Sequence, residues 1–519
     1  MSSEPSGALP RRRPSPIAIK KRNDGGGEEG KEEEKEKKGS WMEYEGEAEQ
    51  PLSPAARLFH QPRFNCYIVA EMGIGTPIDV AAIKAGLLST LVLHPRFSSV
   101  QILDESKGKK PKWVRTNVVI DNHIVIPNLD PNSNNPDQLV EDYVASLSNS
   151  PAIDLSRPLW DLHILNFQTS KASSVVILRI HHSLGDGTSL MSLLLACTRK
   201  TSNPDSPPSL PFSHHPPRSR HRNHLFAMLA ALWAFLLLIF HSFVDLIIFT
   251  ATAVFLNDSD TPFKGGDGTE RHPKRFVHQS VYLDDIKIVK NAVGCTVNDV
   301  LLGVTSAGLT RYLYRKNESG NEKEKKKRFE SNIRVRSTVL VNIRPSPGIH
   351  ALADMMQAGK CDAKWGNLMG YMILPFPIAF HRDPLDYVRK GKAIADRKKS
   401  SLEAIFTYTC AYVMMKLFGV KATAALSHRL LCHTSLSFSN IIGPVEEIGF
   451  YGHPLLYIAP SVYGHPQALT VHYQSYMNKM EIVLAVDESL IPDPHRLLDD
   501  LAESLQLIKD AAIAVKSVG

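Results

Sequence analysis

The sequence predicts an α/β chain folded as two layered halves, and three observations carry that expectation. Strand-like and helix-like segments alternate from about Leu52 to the C-terminus. A stretch rich in Pro, Ser and basic residues, 201–223, interrupts the alternation near the middle. An apolar run, 224–256, follows it directly and is longer than an ordinary core helix requires.

The elements follow in order. Residues 1–50 hold RRRPSP and KKRNDGGGEEGKEEEKEKKG, a mixed-charge composition with few aromatics that predicts a disordered tail. The formal GxGxxG match inside it, Gly25 to Gly30, has no strand before it and no helix after it, so it is no dinucleotide loop. RFNCYIVAEM reads as a strand, and PIDVAAIKAGLLSTLVLH as an amphipathic helix opened by Pro77 and Asp79. WVRTNVVIDNHIVIP is strand material, DQLVEDYVASLSNS a helix, and PLWDLHILNF and VVILRIHH are strands. TSLMSLLLACTRK returns to helix.

The second α/β region starts around Val277. TVNDVLLGVTSAGLTRYLY predicts a helix, while STVLVNIRP, GNLMGYMILPFP, LSFSNIIGP, ALTVHYQSYM and EIVLAVDES predict strands. PHRLLDDLAESLQLIKDAA closes the chain as a helix, and the charged stretch near 317–330 reads as a solvated loop. The expected division is a tail over 1–50, a first domain over 51–200, a linker with the apolar segment over 201–270, and a second domain over 271–519.

The apolar segment, Leu225 to Val244 above all, satisfies the length of a spanning helix, about 20 residues. Arg218, Arg220 and Arg222 precede it and Asp258 and Asp260 follow, which puts its first end in the cytosol. A single span would set the two halves on opposite sides of a bilayer. A hairpin or an interfacial element would keep both in the cytosol, and Asp245 suits a turn or a water-facing position. A buried core helix is the remaining alternative.

Bulk properties exclude several classes. The net charge of +7 is not gathered on one folded segment, which argues against nucleic acid as a partner. Six cysteines are scattered with no CxxC pair, as expected of reduced thiols rather than a disulfide frame or zinc knuckle. The opening MSSEPSGALPRRRPSP has no apolar core of a secretory signal.

The chemistry concentrates in HHSLGDGTS, residues 181–189, directly after an apolar strand. Side chains alternate across a strand, so His181 and His182 face opposite ways and only one serves a given site. Gly185 and Gly187 allow a tight turn and close backbone approach, and Asp186 between them can anchor that turn or cap the next helix. A neutral imidazole placed there can take the proton of an alcohol as its oxygen attacks an activated acyl carbon. With a thioester donor no covalent enzyme intermediate is needed, which fits the absence of a GxSxG elbow; GVTSAG has the wrong spacing. HExxH is absent too, so no metal is expected. A polar turn after a strand is the plain structural alternative.

These residues resemble the HHxxxDG motif of coenzyme A-dependent acyltransferases with the chloramphenicol acetyltransferase fold. More narrowly, the chain resembles the plant wax ester synthase/diacylglycerol acyltransferase family over roughly residues 52–515, through PLWDLHIL, HHSLGDGTS, TVNDVLL, VNIRP, WGNLMGYMILPFP and SNIIGP in that order. The resemblance implies two acetyltransferase-like domains forming a pseudo-dimer with a channel between them, plus an apolar membrane-associated insert. It makes His182 the general base, with His181, Asp186 and Gly187 supporting the motif. Asn298 and Asp299 would shape the site or cap a helix; Pro158, Leu159 and Trp160 would line the acyl channel or form a core turn. Asn440, within SNIIGP, and Gly366 and Asn367 are further candidates near the cleft, and Arg344 would pair with an acid or with a coenzyme A phosphate.

The implied reaction moves a fatty acyl group from acyl-CoA, a co-substrate rather than a bound cofactor, to a long-chain fatty alcohol, to diacylglycerol, or to both. The implied setting is the endoplasmic reticulum membrane with both halves in the cytosol, or the plasma membrane, and a part in cuticular wax. Two other readings stand beside it: an HHxxxDG acyltransferase of other hydroxylated metabolites, and a catalytically silent lipid-binding membrane protein. The DFGWG block of the soluble plant acyltransferases is missing, and the chain has no room for the carrier domains that accompany condensation domains.

Overall fold

A computed structural model of the chain describes residues 49–104, 109–131, 133–210, 224–318, 333–344 and 365–518. The predicted tail, most of the predicted linker and the charged loop near 317–330 lie outside the described residues. The elements in order are β1 (Glu49–Pro51), α1 (Pro54–Leu58), β2 (Tyr67–Ile74), α2 (Val80–Ser89), β3 (Ser99–Ile102), β4 (Lys112–Arg115), β5 (Ile124–Val125), α3 (Pro136–Ser148), β6 (Trp160–Leu165), β7 (Ser174–His181), α4 (Gly187–Cys197) and β8 (Thr198–Lys200). After these come α5 (His224–Val254), β9 (Lys274–Tyr282), α6 (Leu283–Val293), α7 (Val297–Glu318), β10 (Arg334–Asn342) and β11 (Met369–Pro377). The chain ends with α8 (Leu385–Lys399), α9 (Glu403–Cys432), β12 (Leu436–Ile441), β13 (Ile448–Phe450), β14 (His453–Tyr463), β15 (Leu469–Tyr476), β16 (Lys479–Asp487) and α10 (Pro494–Val518).

Two mixed sheets organise the fold. One has seven strands in the order β5-β6-β7-β2-β14-β13-β8, and the other six in the order β11-β10-β12-β15-β16-β9. The second half of the chain completes the first sheet: β14 pairs antiparallel with β2 from Leu455 opposite Ile74 to Tyr463 opposite Tyr67, and β13 pairs with β8. The strand β7, SVVILRIH, is apolar nearly throughout because both faces of its sheet are covered, and almost all of it is buried. One apolar core lies under the first sheet, around Trp160, Phe97 and Val176, and a second under the other, around Tyr312, Phe376 and Val388.

Local chemistry fixes the helix ends. Asp79 caps α2 by accepting from the amides of Ala81 and Ala82, and Asn135 caps α3 ahead of Pro136. Gly419, with φ of 81°, kinks α9 in its middle, a conformation that favours glycine.

The segment α5 is one unbroken helix of 31 residues, long and apolar enough to cross a membrane and exposed along most of its length. It makes no turn at Asp245, contrary to the hairpin alternative. That carboxylate is buried and ion-paired with Arg397 at 2.7 Å and Lys398 at 3.0 Å, so the body of the protein neutralises it without a break in the helix.

Candidate active site

The motif begins where β7 ends. His181 is the last residue of that strand, opposite Tyr67, and the amide of His182 donates to the Cys66 carbonyl at 2.9 Å. The chain then takes one 3-10 turn, His182–Leu184, and enters α4.

The two histidines occupy different environments. The His181 ring is fully engaged: one nitrogen meets the Ser183 hydroxyl at 2.7 Å, the other meets Asn65 Oδ1 at 3.0 Å, and the ring stacks on His60. His182 stacks on Phe59 with ring centres 4.2 Å apart, and its Nδ1 is buried with no hydrogen-bond partner among the described residues. Burial lowers the His182 imidazole below its ordinary range, against the opposing pull of Asp186 and Asn367. It is therefore a neutral base at physiological pH.

Asp186 braces the loop. One carboxylate oxygen accepts from the Ser189 amide at 3.0 Å and caps α4; the other accepts from the Arg344 guanidinium at 2.7 Å and the Leu368 amide at 3.1 Å. Arg344 also donates to the Ser189 hydroxyl and the Gly366 carbonyl. Asn367 donates to the His182 carbonyl at 2.8 Å, and the Trp365 indole to the Leu184 carbonyl at 2.8 Å. VNIRP and WGN, both from the second half, thus clamp the motif of the first. Gly187 leaves room rather than a special turn: a Cβ there would meet Ile441 Cδ1 at 2.9 Å.

A cavity of about 310 Å³ opens between the two sheets beside His182. Its apolar floor includes Leu87, Leu91, Leu162 and Met72, and its walls carry Met191 and Leu194 of α4. Polar groups from both sheets interrupt the apolar lining. Asn440 Oδ1, Gln474 Oε1, Ser461 Oγ and both ring nitrogens of His472 line the cavity, are buried, and have no hydrogen-bond partner among the described residues. Burial first, and then the neighbouring His182, pushes His472 down to about 4, so its ring is neutral as well.

The other candidates from sequence fall in three places. Asn440 lines the cavity and donates to Asn298 Oδ1 at 2.6 Å, so Asn298 reaches the site through it. Asp299 accepts from the Thr296 amide at 2.8 Å while its own amide donates to the Thr296 hydroxyl, a reciprocal cap at the start of α7. Pro158, Leu159 and Trp160 do not line the cavity, contrary to the channel role. Trp160 is fully buried, stacks on His123 and donates to the Phe97 carbonyl at 2.9 Å, and the Leu159 carbonyl accepts from the His181 amide. The block anchors the end of β7 instead. Sequence reading missed His472 and Gln474, although they stand two apart on one face of a largely buried strand, a signal present in ALTVHYQSYM.

Residues 65–301 match the wax ester synthase/diacylglycerol acyltransferase catalytic domain, and residues 365–509 match the C-terminal domain of the same family. The chain is 51% identical to wax ester synthase/diacylglycerol acyltransferase 11 of Arabidopsis thaliana, an alignment covering 90% of this chain and 96% of that one. It is 49% identical to number 5 of the same set, over 89% and 94%. Its fold is similar to that of a wax ester synthase/diacylglycerol acyltransferase from Marinobacter aquaeolei VT8, with a TM-score of 0.53 at 17% identity, covering 89% of this chain and 99% of that one. The first condensation domain of the CDA synthetase shares the fold at a TM-score of 0.51 and 12% identity, over 86% and 91%.

Proposed function

The chain belongs to the wax ester synthase/diacylglycerol acyltransferase family, and from that premise we propose that it moves a fatty acyl group from acyl-CoA to a long-chain alcohol, to diacylglycerol, or to both. The observation that carries the mechanism is the neutral imidazole of His182, its Nδ1 buried without a hydrogen-bond partner among the described residues, beside an apolar cavity between two sheets.

The hydroxyl of the acceptor gives its proton to His182 as its oxygen bonds to the thioester carbonyl carbon. The tetrahedral intermediate places negative charge on the former carbonyl oxygen. His472, neutral and without partners, supplies an N–H toward that oxygen, where a fixed donor in a dry site stabilises developing charge. The carbon–sulfur bond then breaks, and the coenzyme A thiolate recovers the proton from the His182 imidazolium. Asp186, Arg344 and Asn367 hold the loop and position His182.

The acyl chain of the donor and the acceptor are apolar and partition into a bilayer, which gives the exposed α5 a purpose. The reading therefore sets the protein on the endoplasmic reticulum with both halves in the cytosol. The test is product analysis in microsomes of yeast lacking neutral lipid synthesis that express the full chain. With labelled palmitoyl-CoA, the expected product is wax ester from hexadecanol, triacylglycerol from diacylglycerol, or both. Production of neither ester overturns the reading and favours a silent lipid-binding protein.

A further inference from the structure

The two ends of the excursion that contains α5 are fastened to one folded body. At the near end Leu210 is buried, and Ser209 exchanges hydrogen bonds with Glu446 and the Val445 amide. At the far end the Thr252 hydroxyl accepts from the buried Arg336, the Thr252 carbonyl meets the His433 ring, and Asp258 pairs with Arg336. A path that leaves and returns to the same body crosses a membrane an even number of times. α5 supplies one apolar segment. The thirteen residues 211–223 would have to supply the other crossing, and they contain Arg218, Arg220 and Arg222 and three prolines. They are short of the roughly 20 residues a spanning helix needs, and arginine in hydrocarbon is costly.

A second apolar surface lies beside α5. The first half of α9 packs against it: the Leu402 amide donates to the Ser242 hydroxyl, and Phe249 meets Phe406 edge to face at 6.5 Å. On its outer side Ile405, Val413, Leu417 and Phe418 recur at helical spacing, and Leu417 and Phe418 are 70% and 63% exposed. Along α5, Phe226, Trp233, Phe240 and Phe243 are comparably exposed. A soluble monomer rarely shows an apolar face of this extent. Lys416, exposed on the same stretch of α9 with its ammonium 4.6 Å from the Tyr412 ring centre, is a cation that suits lipid headgroups.

We propose that α5 and the first half of α9 together seat the protein in one leaflet of a bilayer and that neither helix crosses it. The proposal rests on the membrane reading above and goes further than it. Acyl chains would then meet the protein from the leaflet in which they are dissolved, while the acyl-CoA headgroup stays on the cytosolic side.

Two measurements on the full chain test it. In sealed microsomes, a protease site built into 211–223 and an epitope tag added after Gly519 are both cut from outside if the helix does not cross, whereas a single crossing shields one of the two. In flotation with phosphatidylcholine vesicles doped with phosphatidylserine, the double substitution Leu417→Asp and Phe418→Asp lowers the bound fraction about tenfold. Both side chains are exposed, so the melting temperature of this variant should match the parent. A floating protein in which either the 211–223 site or the C-terminal tag is protected overturns the one-leaflet topology and leaves membrane association standing. A double variant that floats like the parent overturns the role of α9. A parent chain that does not float overturns the membrane reading and this proposal together.

Discussion

The loop that carries His182 and the cavity wall facing it differ in one respect. Around the loop most polar groups are paired: Asp186 with Arg344 and two amides, the Asn367 amide nitrogen with the His182 carbonyl, His181 with Ser183 and Asn65, while Asn367 Oδ1 and His182 Nδ1 keep no partner among the described residues. Along the wall, His472, Gln474, Ser461 and Asn440 keep buried polar atoms without partners. Unpaired buried polar atoms cost stability unless something else satisfies them. The comparison separates groups that hold the site from groups that await a substrate.

The difference is broken most severely at the clamp. Arg344→Ala leaves the Asp186 carboxylate buried without its cation, and loss of one partner of a buried pair costs roughly 3–5 kcal/mol. Calorimetry should show a lowered melting temperature together with weak ester formation. On the wall the effect should divide differently. His472→Gln should lower kcat about 100-fold, as for loss of one oxyanion donor, with an unchanged melting temperature. A parallel fall in stability would move His472 to the holding class.

Acid should act through the buried rings. Burial holds His94 and His465 near 3 and His472 near 4. These folded values lie below the ordinary 6.5, so the unfolded chain takes up protons first as pH falls. Stability is therefore complete above about 6.5 and declines from there toward about 3, which thermal melts across that window will show. The smallest effect belongs to the reciprocal cap. Thr296→Ala should cost about 1 kcal/mol of stability and leave the rate per folded molecule intact, because Asp299 serves the helix start rather than the reaction.

Much of this was legible in the chain. HHSLGDGTS follows a strand whose apolar run could only be buried, and strand alternation already separated His181 from His182. VNIRP and WGN were recognisable as motifs, yet their clamping of Asp186 depends on residues 158 and 182 positions away and has no local signature. β14 was missed because Pro454 and Pro460 interrupt HPLLYIAPSVY, a pattern tolerated here although β14 lies inside the sheet. α9 was missed because EAIFTYTCAYVMMKLF buries one side and leaves apolar residues exposed on the other, so its outward face carries no polar stripe. Asp245 read as a turn because its cations, Arg397 and Lys398, lie far along the sequence.

The central claim is that the buried, neutral imidazole of His182 is the base. Its most direct test is the rate of ester formation from acyl-CoA and hexadecanol by His182→Ala, in protein whose melting temperature matches the parent. The account predicts a loss of at least about 100-fold. A folded His182→Ala enzyme working within about threefold of the parent rate would contradict it.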